Sequence, residues 1–226
     1  MSKNITYRFK TPHYSGSILY VNIIANYSCT NNCLFCSRPR NKLEFGKKNI
    51  YETKANANLF LNKVPSKAEI MSEIRKNIRK SDTEIAIIGL GEPLINFELV
   101  VEIIKEIKKE FDIKVRVDSN GLVVCTHKNA ANILGQAGLD EIRISLNATD
   151  AKDYETLCRP VYKNSFSKLC KFVKQCSDVM DTYVSFITNF REGKVKTKPK
   201  SMYLEFAKRL GISKEKVILR KFVPPI

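Results

Sequence analysis

The sequence lacks the features of a secreted or membrane-spanning protein. Its first residues, Met1-Ser2-Lys3-Asn4, are polar and do not form the apolar core of a signal peptide. No apolar run is long enough to span a bilayer. The seven cysteines are an odd number, and without a secretion signal a disulfide framework is not expected. We therefore expect a protein of a reducing, cytoplasmic compartment with no membrane partner.

The chain also lacks internal repeats, low-complexity tracts and any linker that would divide it. Its 226 residues suffice for one substantial core, and 27% charged with 43% hydrophobic residues is ordinary for a soluble globular protein. We expect a single domain over residues 1–226. Residues 1–17 form an irregular lead-in with a short strand in this interpretation, and the polar residues 41–64 form a loop or insertion.

The net charge of +16 makes nucleic acid a candidate partner, since a basic surface attracts polyanions. Lysines such as Lys105, Lys108 and Lys109 lie among glutamates on an apparent helix, which is typical of a solvated face. Two stretches are more concentrated, residues 38–42 and residues 194–200.

Apolar and β-branched runs alternate with helical periodicity along the chain, which predicts a parallel α/β sheet built from βαβ units. Ser66 and Glu69 form a capping box at the first helix. About six units are counted, whereas a closed eightfold barrel needs about 250 residues. We therefore predict a partial (β/α)6 TIM-like barrel. The predicted strands are 18–24, 85–88, 113–117, 141–146, 183–188 and 217–223, and the helices after the first are 97–110, 128–137, 151–158, 165–179 and 199–210.

Three cysteines, Cys29, Cys33 and Cys36, fall within eight residues directly after the first predicted strand. Soft thiolates at this density select zinc, Cu(I) or an iron–sulfur cluster. A structural zinc site usually takes a fourth protein ligand from a second pair, and a cubane cluster normally takes four cysteines. Three thiolates would leave one iron of a cluster open for chemistry. The other cysteines and the histidines are scattered: Cys125, Cys158, Cys170, Cys176, His13 and His127.

Residues suited to ligand binding follow each of the first four predicted strands. The cysteines come after the first strand, residues 89–93 after the second, 118–121 after the third and 145–147 after the fourth. In parallel barrels the active site lies at the carboxyl ends of the strands. These motifs are therefore predicted to form one site.

The three cysteines, with Phe35 just before the last of them, resemble the cluster-binding motif of the radical S-adenosylmethionine (radical SAM) superfamily. This resemblance implies a [4Fe-4S] cluster on Cys29, Cys33 and Cys36, with S-adenosylmethionine on the open iron. It implies reductive cleavage to a 5′-deoxyadenosyl radical that takes hydrogen from a substrate. It also implies an electron donor such as ferredoxin or flavodoxin, and the partial barrel common in these enzymes.

Residues 89–93 resemble the Gly-Gly-Glu element of the superfamily, which borders the methionine end of S-adenosylmethionine. Leu90 stands where that element has its first glycine, so the resemblance carries over to Gly91 and Glu92. Glycine lets the backbone approach a ligand closely, and Glu92 can accept hydrogen bonds from the ligand's ammonium group. An ordinary strand-to-helix turn is the other interpretation.

The resemblance extends to polar residues after the third and fourth strands. Ser119 and Asn120 match an element that holds the ribose and the carboxylate of S-adenosylmethionine, and Ser145 and Asn147 occupy the corresponding position one strand later. Phe35 would pack near the adenine. The alternatives are an ordinary Asn-Gly turn and a core phenylalanine.

Leu157-Cys158-Arg159-Pro160, with the earlier Tyr154 and Ser145-Leu146-Asn147-Ala148, resembles the small radical SAM family named for its association with TatD-type deoxyribonucleases. The resemblance implies a functional link to such a nuclease, but it brings no substrate. Cys158 is a candidate auxiliary thiol or hydrogen-atom donor, or a buried small residue. Arg159 is a candidate partner for a carboxylate of the cofactor or substrate, or part of a structural salt bridge.

Other functions stay open at this point. Residues 91–96 also resemble radical enzymes that methylate ribosomal RNA, and the compact size resembles enzymes that install a glycyl radical on a partner protein. A zinc-stabilised, basic nucleic-acid-binding module is an alternative of another class.

Overall fold

The computed structural model describes residues 5–8, 17–36, 38, 59–190, 195 and 197–222. Most of the predicted lead-in and residues 41–58 of the predicted insertion lie outside the described residues. So do residues 39–42 of the first basic stretch, and Lys194 and Lys196 of the second.

A single seven-stranded sheet organises the fold, and its strands lie in chain order. β1 pairs antiparallel with β2, and the following strands are all parallel. Within the described part of the chain β7 pairs with β6 alone, so the sheet is an open barrel of six parallel strands, as predicted. The strands are β1 Thr6–Tyr7, β2 Ser17–Val21, β3 Asp82–Ile87, β4 Lys114–Ser119, β5 Glu141–Ser145, β6 Asp181–Thr188 and β7 Val217–Lys221.

Helices follow the parallel strands and cover one face of the sheet. The predicted capping box of Ser66 and Glu69 is present at the first helix. The helices begin and end close to their predicted bounds: α1 Lys67–Asn77, α2 Phe97–Glu110, α3 Ala130–Gln136, α4 Ala151–Cys158, α5 Ser165–Ser177 and α6 Lys200–Arg209.

The two faces of the sheet differ because successive side chains of a strand point to opposite sides. On the helix side, Ile85, Ile87, Val115 and Val117 are fully buried in the main hydrophobic core. The inner face starts with a smaller apolar cluster on β1 to β3 that includes Tyr20 and Ala86. From there to β7 it carries mainly charged and polar residues. Among the described residues, no helix is long and apolar enough to cross a membrane.

Candidate active site

The cysteine loop, residues 25–36, leaves the carboxyl end of the sheet after β2. Asn26 and Tyr27 both have left-handed backbone angles (φ 51°), so the chain turns sharply before the first cysteine. The Arg38 guanidinium donates to the carbonyls of Tyr27 (2.6 Å) and Asn31 (2.7 Å). This arginine therefore fixes the shape of the loop from its far end.

The segment 157–161 runs beside the cysteine loop and holds its backbone. The N–H of Asn32 donates to the Cys158 carbonyl (3.0 Å), and that of Leu34 donates to the Leu157 carbonyl (2.8 Å). In return the N–H of Val161 donates to the Thr30 carbonyl (2.9 Å). This strap gives the Leu-Cys-Arg-Pro motif a positioning role through its main chain.

The two catalytic candidates in this strap differ in environment. Cys158 is fully buried, interacts with Cys33, and receives the Asn147 side-chain amide at 3.7 Å. Arg159 has a left-handed backbone (φ 46°) and an exposed side chain, and it forms no ion pair with any described residue. Neither residue is among those that line the central cavity.

Gly91 brings the loop after β3 directly against the cysteine loop. Its φ of +136° is a conformation that L side chains rarely adopt, and a Cβ there would lie 2.3 Å from the Ser28 carbonyl oxygen. The neighbouring Glu92 N–H donates to that same oxygen (2.8 Å). Glycine is therefore required for the two loops to approach each other.

Glu92 ties the loop after β3 to the end of β4. It is 3% exposed, and its carboxylate accepts from the Ser119 hydroxyl (2.8 Å), the Asn120 N–H (2.6 Å) and the Leu94 N–H (3.0 Å). Burial raises the pKa of Glu92 to about 7, although these hydrogen bonds favour the ionised form. Its predicted role toward an ammonium group would rest on the lone pairs that the protein donors leave free.

Asn120 completes the connection between β4 and the cysteine loop. Its side-chain amide donates to the Thr30 hydroxyl (2.9 Å) and approaches Cys29 Sγ (3.6 Å). Its side-chain oxygen, Oδ1, accepts a hydrogen bond from the Leu122 N–H (2.9 Å). The loops after β2, β3 and β4 thus form one hydrogen-bonded unit.

A single cavity of about 430 Å³ lies at this end of the sheet. The ten predicted metal and cofactor residues all line it, so the structure brings together what the sequence placed after four separate strands. They are Cys29, Cys33, Phe35, Cys36, Gly91, Glu92, Ser119, Asn120, Ser145 and Asn147.

Residues 23–194 match the family model of the radical SAM superfamily. The chain belongs to the radical SAM superfamily. The predicted enzyme class and its cofactors, a [4Fe-4S] cluster and S-adenosylmethionine, are confirmed at this level, and the alternative of a zinc-stabilised nucleic-acid-binding module gains no support. The assignment to the small TatD-associated family is not confirmed.

Solved radical SAM structures share the fold. Streptococcus suis SuiB bound to S-adenosylmethionine is 17% identical (TM-score 0.57), with 91% of this chain and 38% of that chain covered. SuiB bound to its precursor peptide SuiA is 16% identical (TM-score 0.60), with 90% and 39% covered. The FeFe-hydrogenase maturase HydG from Carboxydothermus hydrogenoformans is 16% identical (TM-score 0.59), with 92% and 45% covered.

This chain therefore spans less than half the length of these structures. Comparison with curated proteins finds no match.

The cavity of this radical SAM domain fits the two cofactors of the superfamily. Three thiols line one wall, and all seven cysteines of the chain are free. Asn31 and Asn147 line the same cavity, and their side-chain oxygens are buried and have no hydrogen-bond partner among the described residues. Buried acceptors normally have a partner, so these two suit donors of a bound ligand.

Two of the three thiols, those of Cys29 and Cys33, have raised pKa values in the cofactor-free fold. Burial raises the pKa of Cys29 to about 12, with nearby Glu92 adding to the effect. The interaction with Cys158, followed by burial, raises the pKa of Cys33 well above its usual range. Since metal binding needs thiolates, cluster binding would release these protons.

Phe35 is partly buried, packs against the main hydrophobic core and lines the cavity. Its ring meets that of Phe190 edge to face (centroids 6.0 Å apart), and Phe190 meets Phe222 in the same way (4.9 Å). This wall supplies apolar surface next to the cysteines.

Sequence reasoning missed several residues of the cavity, among them Asn31, Arg38, Arg220 and Lys221. Asn31 stands between the first two cysteines, at a position that was treated as a spacer. Arg38 was noted only for its charge and its place after the cysteines. Arg220 lies near the carboxyl end of the last strand, so the rule that located the other motifs would have found it there.

The second basic stretch, residues 194–200, is partly neutralised in the fold. The Lys198 ammonium group pairs with Asp150 (2.5 Å) and Asp153 (2.8 Å) at the start of α4. This lysine therefore contributes to packing, and the prediction of a nucleic-acid partner gains no support from it.

Proposed function

We propose that this chain binds a [4Fe-4S] cluster through Cys29, Cys33 and Cys36, holds S-adenosylmethionine in the cavity beside it, and acts on a substrate admitted at the open edge of the barrel. When bound, the two cofactors supply reductive cleavage of S-adenosylmethionine to a 5′-deoxyadenosyl radical, which takes a hydrogen atom from the substrate. The observation that carries this proposal is the shared cavity: three thiols and the loops after β3, β4 and β5 line one space.

The protein's own contribution would be orientation and shielding. Gly91 and Glu92 would border the methionine end of the cofactor, where close backbone approach is supported by the contact with Ser28. The free side-chain oxygen of Asn147 would accept a hydrogen bond from the ligand. Phe35, with the aromatic wall behind it, would exclude water from the adenine side.

The test is anaerobic reconstitution with iron and sulfide, followed by dithionite and S-adenosylmethionine and an assay of 5′-deoxyadenosine. We expect about four irons per chain in the wild type and formation of 5′-deoxyadenosine. Cys33→Ala should lose both. Cys170→Ala is the matched control, because Cys170 lies on α5 and is not among the residues that line the cavity. Equal loss in the control, or no product from the wild type, would contradict the proposal.

Finer assignments are also proposals. We infer that the chain is a single domain, that a ferredoxin- or flavodoxin-type protein supplies the electron, and that the chain is linked to a TatD-type nuclease through the family it resembles. The strap 157–161 supports the family assignment, because the residues that carry the resemblance contact the cysteine loop. Replacing dithionite by reduced flavodoxin in the same assay tests the donor, and absence of product would contradict it.

A further inference from the structure

The inner face of the sheet carries several charged side chains on β3, β4 and β5. Arg116 on β4 is 2% exposed, and its guanidinium pairs with Glu84 at 2.5 Å and with Asp118. Arg143 on β5 donates to Glu141 (2.5 Å). Lys114 also pairs with Glu141. Each of these three cations has a carboxylate partner within ion-pair distance.

Arg220 on β7 differs from the other cations of this face. Its guanidinium makes one hydrogen bond among the described residues, from Nη2 to the Ser145 hydroxyl oxygen at 3.2 Å, across the intervening β6. No described carboxylate lies within ion-pair distance of it, and Asp118, which interacts with it electrostatically, is paired with Arg116. Arg220 therefore lines the cavity with an exposed side chain, most of whose donors have no partner among the described residues.

Other cations at the mouth of the cavity also lack a carboxylate partner among the described residues. Arg220, Lys221 and Arg38 all line the cavity. Arg38 donates to backbone carbonyls and forms no ion pair with a described carboxylate. Lys221 forms no ion pair with a described residue. The buried carboxyl that lines the cavity, Glu92, accepts hydrogen bonds from protein donors.

We propose that Arg220 binds an oxyanion of the substrate, a carboxylate or a phosphate, and so selects an anionic substrate for this site. A guanidinium matches the two oxygens of such a group with a pair of parallel N–H donors. The Ser145 hydroxyl fixes the orientation of Arg220 at the carboxyl end of β5, beside the residues that border the cofactor. The assignment of the anion to the substrate rests on the proposed function.

The first measurement uses the full chain without cofactors, titrated with inorganic phosphate and, separately, with acetate at constant ionic strength. Binding is followed by 31P and 13C NMR line broadening. We expect binding of at least one anion by the wild type, a loss of about tenfold or more in Arg220→Met, and partial recovery in Arg220→Lys. Arg209→Met is the matched control, because Arg209 is an exposed arginine on α6 away from the cavity, and it should bind like the wild type.

The second measurement separates a substrate anion from the carboxylate of S-adenosylmethionine. The affinity of the cluster-loaded protein for S-adenosylmethionine is measured from the change in the electron paramagnetic resonance spectrum of the reduced cluster. We expect Arg220→Met to stay within about twofold of the wild type. A loss equal to that for phosphate would assign Arg220 to the cofactor and overturn the proposal.

Two further outcomes would also overturn it: no binding of either anion by the wild type, or unchanged binding in Arg220→Met. Circular dichroism confirms that each variant is folded. The anion titration needs no cluster, so a chain that binds phosphate through Arg220 but forms no 5′-deoxyadenosine would refute the proposed function and leave the anion site in place.

Discussion

The two faces of the parallel sheet have opposite chemistry, although both are buried and both come from the same strands. The helix face holds aliphatic side chains such as Ile85 and Val117, which need only to be removed from water. The inner face between β3 and β5 holds Glu84, Arg116 and Glu141, whose charges must each find a partner. Neighbouring residues of one strand therefore differ in role: one side chain packs in the hydrophobic core, and the next faces the lumen.

Burying the charged face costs free energy of hydration, whereas burying the apolar face does not. A buried ion pair loses hydration, and apolar residues of similar volume are often at least as stabilising. The network around Arg116 is therefore weak evidence for stability. We interpret the network instead as a means of holding the charges of the lumen in place next to the cavity. The following substitutions test this contrast.

The largest effect is expected from Arg116→Met. The change leaves Glu84 and Glu141 with less counter-charge in a buried site, so we expect the free energy of unfolding to fall by about 3–5 kcal/mol. Urea unfolding of the cofactor-free protein measures it. In the double variant Glu84→Gln/Arg116→Met part of the loss should return, because one unpaired charge is gone. A loss below about 1 kcal/mol in the single variant would show that the network is not tightly coupled.

The next effect is a pH dependence at Glu92. Its pKa is raised from 4.5 to about 7 in the folded protein, so between these values the folded state keeps a proton that the unfolded state has lost. Stability therefore falls as pH rises from about 4.5 to 7, by about 3 kcal/mol in total. Glu92→Gln removes this slope.

Urea unfolding of the two cofactor-free proteins at several pH values provides the comparison. Equal slopes for Glu92→Gln and the wild type would show that Glu92 titrates normally. The absolute stability of the variant is not the readout, since its amide loses an acceptor for the Asn120 N–H.

A smaller effect is expected where the two loops meet. In Gly91→Ala the new Cβ would lie 2.3 Å from the Ser28 carbonyl oxygen on a backbone with φ +136°, so we expect a loss of about 1–3 kcal/mol. Iron content after reconstitution should fall with it, because the cysteine loop must shift. Gly135→Ala is the matched control. Gly135 lies in α3, and a Cβ there meets only Val179 at ordinary contact distances of 3.5 Å or more, so stability should stay the same or rise. Equal losses at both glycines would contradict the close approach at Gly91.

The helix face and the order of the strands were predictable from sequence because their physical signals are local. Helical periodicity in α2, the capping box at Ser66 and the apolar run of β3 each depend on residues within one turn or one strand. The cysteine spacing and the position of each motif after a strand were enough to gather the site at one end of the sheet.

The strap and the charged lumen were harder to predict because they depend on residues far apart in the chain. The bond from Asn32 to the Cys158 carbonyl joins backbone atoms about 126 positions apart, and any residue type could supply it. The Leu-Cys-Arg-Pro motif is visible in the sequence, but it predicts roles for the side chains of Cys158 and Arg159 and not for the main chain. Arg116 and Glu84 become partners only through the register of β3 with β4.

The smallest effect is expected on the helix face, and it completes the comparison. Ile104→Val in α2 removes one methylene from a fully buried side chain, so the free energy of unfolding should fall by about 0.5–1.5 kcal/mol. The side chain packs away from the cavity, so phosphate binding and the yield of 5′-deoxyadenosine per folded chain should equal those of the wild type. Phosphate binding is measured on the cofactor-free protein, and 5′-deoxyadenosine is measured on the reconstituted protein. If Ile104→Val changed either readout by more than about twofold, packing on the outer face would control the geometry of the lumen, and the two faces could not be regarded as independent.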